Sequence, residues 1–320
     1  MIELKNITLR MKSFSLQNID LKINENEYFV LLGPTGSGKS MIMDIIAGSI
    51  IPDEGRIIIN GRDITYLPPE KRNVGYVTQD YSLFDHMKVI DNITFGLRVR
   101  KVSEKDAMNI IKPLVDKFNL NDLLDKYPYV LSGGEKQKVA IVRALAINPD
   151  ILLLDEPLVS LDPNIRSRFM VELKNIHEEM KFTTLHVTHS IDEAEYLADH
   201  LGIIKSGRII QVGKFDEISR NPSSDFVASF IGLENIISDD EINKILNVDK
   251  GKRIAFRPVD VEISDNGIEM DIEGMQKLYS GIRIMGKVNN SKITVILNSV
   301  SEIKNGKIKI KIKRFSVIQD

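Results

Sequence analysis

The chain has 320 residues, 42% of them apolar and 28% charged, with a formal net charge of −2. That balance describes a globular protein with ample core and excludes a chain-wide bias toward nucleic acid or anionic lipid. It has no cysteine, which excludes disulfides and thiolate metal sites. The length suggests two domains. No uncharged apolar run approaches the roughly 18–20 residues of a membrane span. Glu3 and Lys5 break up the start of the chain, which reads as lacking a signal peptide. Any membrane role is therefore expected to run through a partner.

In chain order, residues 2–9 and 16–23 alternate in the manner of paired strands. Tyr28-Phe29-Val30-Leu31-Leu32 is a continuous apolar run and predicts a buried strand. It leads straight into Gly33-Pro34-Thr35-Gly36-Ser37-Gly38-Lys39-Ser40. A helix is expected over 41–47, ending near Gly48. The segment 55–61 predicts a strand closed by an Asn60-Gly61 turn, and 74–78 a short strand that delivers Gln79. From Ser103 to Leu120, the residues Ala107, Ile110, Ile111, Leu114, Val115 and Phe118 recur at helical spacing. Ser103 and Asp106 suit the cap of that helix, and Pro113 is expected to bend or interrupt it.

Strands are expected at 151–155 and 184–188, each followed by a helix. Such alternation argues for an α/β fold, a mostly parallel sheet with helices on its faces. Ligands of such sheets sit at the carboxyl ends of strands, where Gln79, Asp155, Glu156 and His189 all fall. After Gly232 the helical period fades. Short alternating runs at 254–256, 259–263, 281–288, 292–297 and 307–313 predict a small antiparallel barrel or sandwich. The domains are set at 1–234 and 235–320. In Gly306–Lys313, four lysines alternate with three isoleucines. The favoured reading is a half-buried strand whose lysines discourage edge pairing, over a basic oxyanion or nucleic-acid surface.

The chemistry starts at Gly33–Ser40, a G-x-x-x-x-G-K-S phosphate cradle between a strand and a helix. Its backbone N–H groups turn toward phosphates, Lys39 reaches the β- and γ-oxygens, and the Ser40 hydroxyl suits Mg²⁺. Asp155 ends an apolar strand and is placed to hold the same metal, with Gln79 in contact with metal and water. Glu156 is placed to polarise the attacking water, and His189 to donate to a γ-phosphate oxygen. His186 and His189 lie three apart in a strand, hence on opposite faces, which argues against a zinc site. His86, His177 and His200 read as surface or packing residues. Ser132-Gly133-Gly134-Glu135 has the form of a capping box on a bare helix tip, a second anion site. Because the chain's own phosphates already have a loop, that tip is expected to serve a nucleotide held by another copy. Two nucleotides would then be sandwiched head to tail, with Ser160-Leu161-Asp162-Pro163 near the interface.

With these motifs in register, and with Leu131–Gln137 and Ser160-Leu161-Asp162 among them, residues 1 to about 232 resemble the ATP-binding subunits of ABC transporters. The resemblance implies a P-loop ABC ATPase domain with an antiparallel β subdomain and a helical subdomain at about 82–135. A small C-terminal regulatory β domain, OB-like, would follow. It assigns Walker A to 33–40, the Q-loop to Gln79, the signature to 131–135, Walker B to 151–155, the catalytic base to Glu156, the D-loop to Asp162 and the switch histidine to His189. Tyr81–Met87 and Phe256-Arg257-Pro258 are similar to the importer branch that carries sugars, polyamines, iron, sulfate and molybdate. Glu27–Gly36 and the compact Met11–Ile19 region most resemble its molybdate/tungstate subgroup.

Three departures are visible. The aromatic residue that stacks on adenine is replaced by Met11, with Phe14 as the nearby substitute, and Lys138 and Ser190 stand where Arg and Asp are commoner. The implied ligands are ATP and Mg²⁺. The implied partners are a second copy, integral membrane permease subunits and, indirectly, an extracytoplasmic solute-binding protein, with no nucleic acid. The place is the cytoplasmic face of the cell membrane, peripherally. The alternatives are import of sulfate, polyamine, iron or sugar, and a soluble ABC ATPase acting on DNA or ribosomes. The short spacing from Lys39 to Ser132, without heptads, and the single cassette count against the latter.

Overall fold

Five consecutive apolar side chains cannot be served by a sheet with one wet face. Tyr28–Leu32 accordingly lies inside a six-stranded sheet, every residue buried. Burying each such side chain contributes about 1.5–3 kcal/mol, so this strand is a main anchor of the core. The structure is a computed structural model that describes residues 1–279, 281–289, 291–298 and 306–319. The sheet runs in the order Arg208–Gly213, His200–Lys205, Tyr28–Leu32, Thr184–Thr188, Ile151–Asp155, Val74–Val77. Tyr28–Leu32 is parallel to both of its neighbours, and Ile151–Asp155 to both of its own. Leu32, Asp155, Val77 and Thr188 therefore end at one edge, where the chain turns toward the phosphate loop.

A second, antiparallel sheet orders Ser15–Ile23, Ile2–Arg10, Glu54–Ile59 and Arg62–Asp63. Ile2 pairs with Ile23 on one side and with Ile59 on the other. The Asn60-Gly61 turn has both residues at positive φ, as a tight hairpin requires. Ile42, Met43, Ile45 and Ile46 of the helix Lys39–Ala47 pack into the core shared by the two sheets. The helix Glu104–Lys117 is capped as expected, Ser103 accepting from the Asp106 N–H, yet it runs unbroken through Pro113. Pro113 sits on the exposed side, while Ala107, Ile111, Leu114 and Val115 are buried on both sides of it and hold the two halves in line.

The chain divides into two compact units, Met1–Val212 and Gly213–Asp320. The helices Phe215–Arg220 and Asp225–Phe230 go with the second unit, where Ser316 Oγ donates to the Ser219 carbonyl and Gln319 N–H to that of Pro222. This unit holds two antiparallel sheets, Asn235–Ile237, Ile254–Phe256, Ser316–Val317 and Ser291–Leu297, Gly281–Val288, Val261–Leu278, Lys307–Ile312. They share one core that includes Phe256, Met270, Ile284, Val295 and Ile310. Where the sequence suggested a strand at 259–263, Val261–Leu278 is a single bulged strand of 18 residues. Gly267 makes the bulge fit, since a Cβ there would meet the Ile310 carbonyl oxygen at 2.5 Å. Lys307–Ile312 ends its sheet, with its isoleucines buried and its lysines outward. Lys307 pairs with Glu269 and Asp271, and Lys313 with Glu262 at 2.8 Å. That is the chemistry of a guarded edge, with two of its four lysines held in ion pairs among the described residues.

Candidate active site

The phosphate loop is shaped by two glycines. Gly36 and Gly38 have φ of +77° and +103°, and a Cβ on Gly38 would lie 2.6 Å from Leu16 Cδ2 and 2.9 Å from Phe14 Cζ. Only glycine fits there, and as the N-cap residue it leaves the first N–H groups of Lys39–Ala47 without a side-chain partner. Lys39 is 5% exposed and donates to the loop's own carbonyls, Gly33 O at 2.7 Å and Pro34 O at 3.1 Å. Burial pushes the ammonium below its usual range, against the pull of Glu156 at 3.8 Å and of Asp155. The Ser37 hydroxyl is buried and without a hydrogen-bond partner. An orphaned donor, a buried cation resting on weak acceptors and a bare helix tip together fit a polyphosphate.

The carboxylates stand opposite. Ser40 Oγ donates to Asp155 Oδ1 at 3.3 Å, and the Tyr76 hydroxyl to Asp155 Oδ2 at 3.4 Å. Burial drives the Asp155 carboxyl up, the bonds from Ser40 and Tyr76 pull it down, and the neighbouring charges of Glu156 and Asp44 add to the rise. A hydroxyl and a carboxylate oxygen at this separation are the donor set a hard divalent cation takes. Glu156 has φ +43° and gives its N–H to the Val187 carbonyl at 3.0 Å, which aims its side chain across the loop. His189 Nδ1 is 3.1 Å from Glu156 Oε2. Gln79 is exposed in the turn after Val74–Val77, the strand whose Val77 pairs with Leu154. Gly33–Ser40, Asp155, Glu156 and His189 are thus gathered at one sheet edge, with Gln79 entering from beside them.

The Ser132 helix tip, expected from the sequence to be a second anion site, stands apart from this group. Ser132 and Glu135 complete a reciprocal capping box, Glu135 Oε2 accepting from the Ser132 N–H at 2.7 Å. The tip packs on the loop before Pro163–Met180 and on that helix's first turn, for a Cβ on Gly133 would be 3.5 Å from Leu161 and one on Gly134 3.4 Å from Ile165. Asp162 caps that helix by accepting from Asn164 and Ile165 N–H. Met11 is 52% exposed, whereas Phe14 packs against Gly38 beneath the phosphate loop. Lys138 pairs with Glu172 at 2.6 Å, and Ser190 caps the helix Ile191–Leu197. His186 is fully buried, bonded to the Tyr28 hydroxyl at 2.9 Å and 3.3 Å from Glu193, whereas His189 lies just past the strand end, half exposed and beside Glu156.

Sequence reasoning did not single out Tyr76 or Arg166. Tyr76 braces the Asp155 carboxylate, and its signal was its place in a strand beside Asp155. Arg166 donates to the Val159 and Leu161 carbonyls at 3.4 and 3.2 Å and so fixes the loop after Glu156. Only its spacing after Asp162, four residues or one helical turn, could have pointed to it.

Residues 16–159 match the family model described as ABC transporter. The molybdate/tungstate import ATP-binding protein WtpC of Pyrococcus abyssi is 41% identical over 325 residues, covering 96% of this chain and 94% of that protein. The sulfate/thiosulfate import ATP-binding protein CysA of Thermosynechococcus vestitus is 40% identical over 263 residues, 82% of this chain and 78% of that protein. A dimeric ATP-binding cassette in a post-hydrolysis state, bound to ADP and Pi, superposes with a TM-score of 0.59 at 30% identity, over 67% of this chain and 98% of that one. Phosphate-loop geometry, strand-end carboxylates and relatives agree: the chain belongs to the ABC transporter family, as one of its ATP-binding import proteins.

Proposed function

We propose that this ATPase powers the import of molybdate or tungstate through separate permease subunits, working as a head-to-tail dimer with two ATP between the copies. The observation that carries the choice of solute is identity and coverage taken together. Relatives named for molybdate/tungstate import are 40–43% identical, and two of them align over 94–96% of this chain. Sulfate/thiosulfate relatives reach 39–40% over 82–90%, and a spermidine/putrescine relative aligns over 96% at only 34%. The near-equal identities make sulfate the second reading, since all three solutes are tetrahedral oxyanions. No helix is long and apolar enough to cross a membrane among the described residues. The protein would sit peripherally at the cytoplasmic face, with a solute-binding protein acting on the far side.

In this reading Gly33–Ser40 cradle the phosphates, with Lys39 leaving the Gly33 and Pro34 carbonyls for the β- and γ-oxygens. Adenine rests near Met11, Phe14 being engaged beneath the loop. Ser40, Asp155 and Gln79 would hold Mg²⁺, which when bound neutralises charge on the transferring phosphoryl group. Glu156 orients the attacking water and takes its proton. His189, steered by Glu156, donates to a γ-oxygen, and ADP and inorganic phosphate are released. Ser132, Gly133, Gly134 and Glu135 of the second copy close the site from the other side, with Asp162 beside them. The test is the ATPase rate of the chain reconstituted with its permease and solute-binding protein. Molybdate and tungstate are expected to stimulate it at concentrations where sulfate and maltose do not. Equal stimulation by sulfate would overturn the assignment of solute.

A further inference from the structure

Two residues past Gln79, the backbone enters the left-handed region at two successive side-chain-bearing residues, Tyr81 at φ +67° and Ser82 at +42°. Residues with a Cβ avoid this region, and runs of two are held only where the surroundings over-determine them. Here the holder is Arg143. It donates from Nη2 to the Tyr81 carbonyl at 2.9 Å and from Nη1 to the Ser82 carbonyl at 2.7 Å, and its guanidinium lies over the Phe84 ring, 5.4 Å from the centroid. Arg143 belongs to the helix Gly133–Ala146, whose tip is the Ser132 anion site. The Tyr81 side chain points the other way, into the protein. Its ring is 8% exposed, and its hydroxyl is hydrogen-bonded to Ser160 Oγ, in the loop between Glu156 and Asp162. The same hydroxyl is 3.9 Å from where a Cβ on Gly133 would lie.

The turn itself is already tied by short-range bonds. Thr78 Oγ1 donates to Asp80 Oδ1 at 2.6 Å, and Ser82 Oγ donates to the same oxygen at 2.8 Å. Shaping the turn does not require a buried hydroxyl that reaches a residue 79 positions away. What that reach accomplishes is a join. Tyr81 is connected to Gln79 through the chain, to the Ser132 helix through its carbonyl, and to the Ser160–Asp162 loop through its hydroxyl.

We propose that Tyr81 is a positioning residue that makes the Gln79 turn, the tip of the Ser132 helix and the Ser160–Asp162 loop move as one body. A push on the Gln79 turn from a membrane partner then shifts, together, both surfaces that face the nucleotide of the second copy. This rests on the shared-site dimer proposed above.

Tyr81→Phe removes only the hydroxyl, Ser160→Ala only its partner, and Ser160→Thr keeps the bond. MgATP affinity of the full chain is expected to stay within about twofold, because neither group touches its own nucleotide. Turnover of the assembled transporter is expected to fall about five- to tenfold in each single variant, as one lost hydrogen bond allows. The double variant is expected to be no worse than either single one, and Ser160→Thr to keep most of the rate. Multiplicative losses in the double variant, or unchanged turnover in Tyr81→Phe, would overturn the join. ATP-dependent dimerisation of the Glu156→Gln chain, read by size exclusion, separates the two levels. If that chain stays monomeric, the shared-site reading itself fails. If it dimerises while the pair behaves independently, only the role of Tyr81 fails.

Discussion

His189 Nδ1 lies 3.1 Å from Glu156 Oε2, and Glu156 is held at positive φ with its N–H on the strand that precedes His189. The two residues directly follow adjacent strands of the sheet, Ile151–Asp155 and Thr184–Thr188, and each limits the rotamers of the other. An imidazole whose Nδ1 is engaged by a carboxylate presents Nε2 outward, and the carboxylate is steered toward the phosphate loop, 3.8 Å from Lys39. The residues proposed as base and sensor are therefore set by one contact.

That contact predicts unequal outcomes for two variants. Glu156→Gln keeps the shape and an acceptor for His189 but loses the base. ATP binding is expected to persist, turnover to fall at least about a hundredfold, and the ATP-bound dimer to accumulate. His189→Ala is expected to bind ATP with similar affinity and to hydrolyse it about ten- to a hundredfold more slowly. Rapid-quench measurement of a single turnover checks both. Normal turnover by Glu156→Gln would remove it as base.

Asp155 gives a pH signature to the nucleotide-free chain. Burial raises its folded-state pKa above the ordinary 3.8. The folded state then binds the proton more tightly than the unfolded one. Its favourable contribution is complete below the unfolded value and is lost as pH rises through the raised folded value. At neutral pH the buried carboxylate is therefore a liability for the fold. Asp155→Asn is expected to raise the melting temperature at pH 7 by about 1–3 °C and to leave less of that gain at pH 4. Turnover should be lost in the same variant. Scanning calorimetry across pH decides this, and a variant that melts lower at pH 7 would contradict it.

The site was more legible in the sequence than the frame that carries it. Phosphate loop, strand-end carboxylates and the capping box are short patterns in which each residue type has one chemical job. The strands at 28–32, 151–155 and 184–188 have the predicted bounds because both faces are buried and the whole run must be apolar. The helix Val89–Val99 gave no such signal, being rich in β-branched residues and carrying Gly96. It is anchored by a fully buried Asn92, whose Oδ1 accepts from the Phe84 N–H at 2.8 Å and whose Nδ2 donates to the Phe84, Met87 and Lys88 carbonyls. A bond pattern of that kind is invisible until the loop is folded. The long strand Val261–Leu278 was hidden for another reason, its alternation being broken by the bulge around Gly267. Arg72 was equally silent, a cation of which 2% is exposed.

Arg72 carries the largest predicted loss of stability. Its guanidinium donates to four backbone carbonyls, Leu67 at 2.6 Å, Thr65 at 2.8 Å, and Ile45 and Ile46 at 2.7 and 3.0 Å. The last two end the helix Lys39–Ala47, so the charge sits at the negative pole of the helix that opens on the phosphate loop. Arg72→Lys keeps the charge but cannot span the four acceptors, and a loss of about 2–4 kcal/mol is expected. Gly48→Ala attacks the same junction from the other side. Gly48 has φ +91°, and a Cβ there would lie 2.5 Å from Arg72 Nε. Urea unfolding of the two single variants and their double should show a shared, less than additive loss. Full additivity would place the two effects in separate structures.

The proposed head-to-tail arrangement has its own arithmetic. Lys39→Ala removes the phosphate cradle of a chain, and Ser132→Arg blocks its helix tip; each homodimer is expected to be inactive. If every site combines the cradle of one copy with the tip of the other, a mixed dimer has one site with both defects and one with neither. Equal mixing makes half of the dimers mixed, so activity should recover to about one quarter of the wild-type rate where the sites act independently. If each site were built within a single chain, every site in the mixture would carry one defect and nothing would recover. The capping-box tip rests on Leu161 and Ile165, while the hydrogen bonds of Lys39 go to Gly33 and Pro34, so neither substitution disturbs the other's surroundings within one chain. Steady-state ATPase of the mixed chains, after subunit exchange at low concentration, is the measurement. A mixture no more active than its parents would end the sandwich.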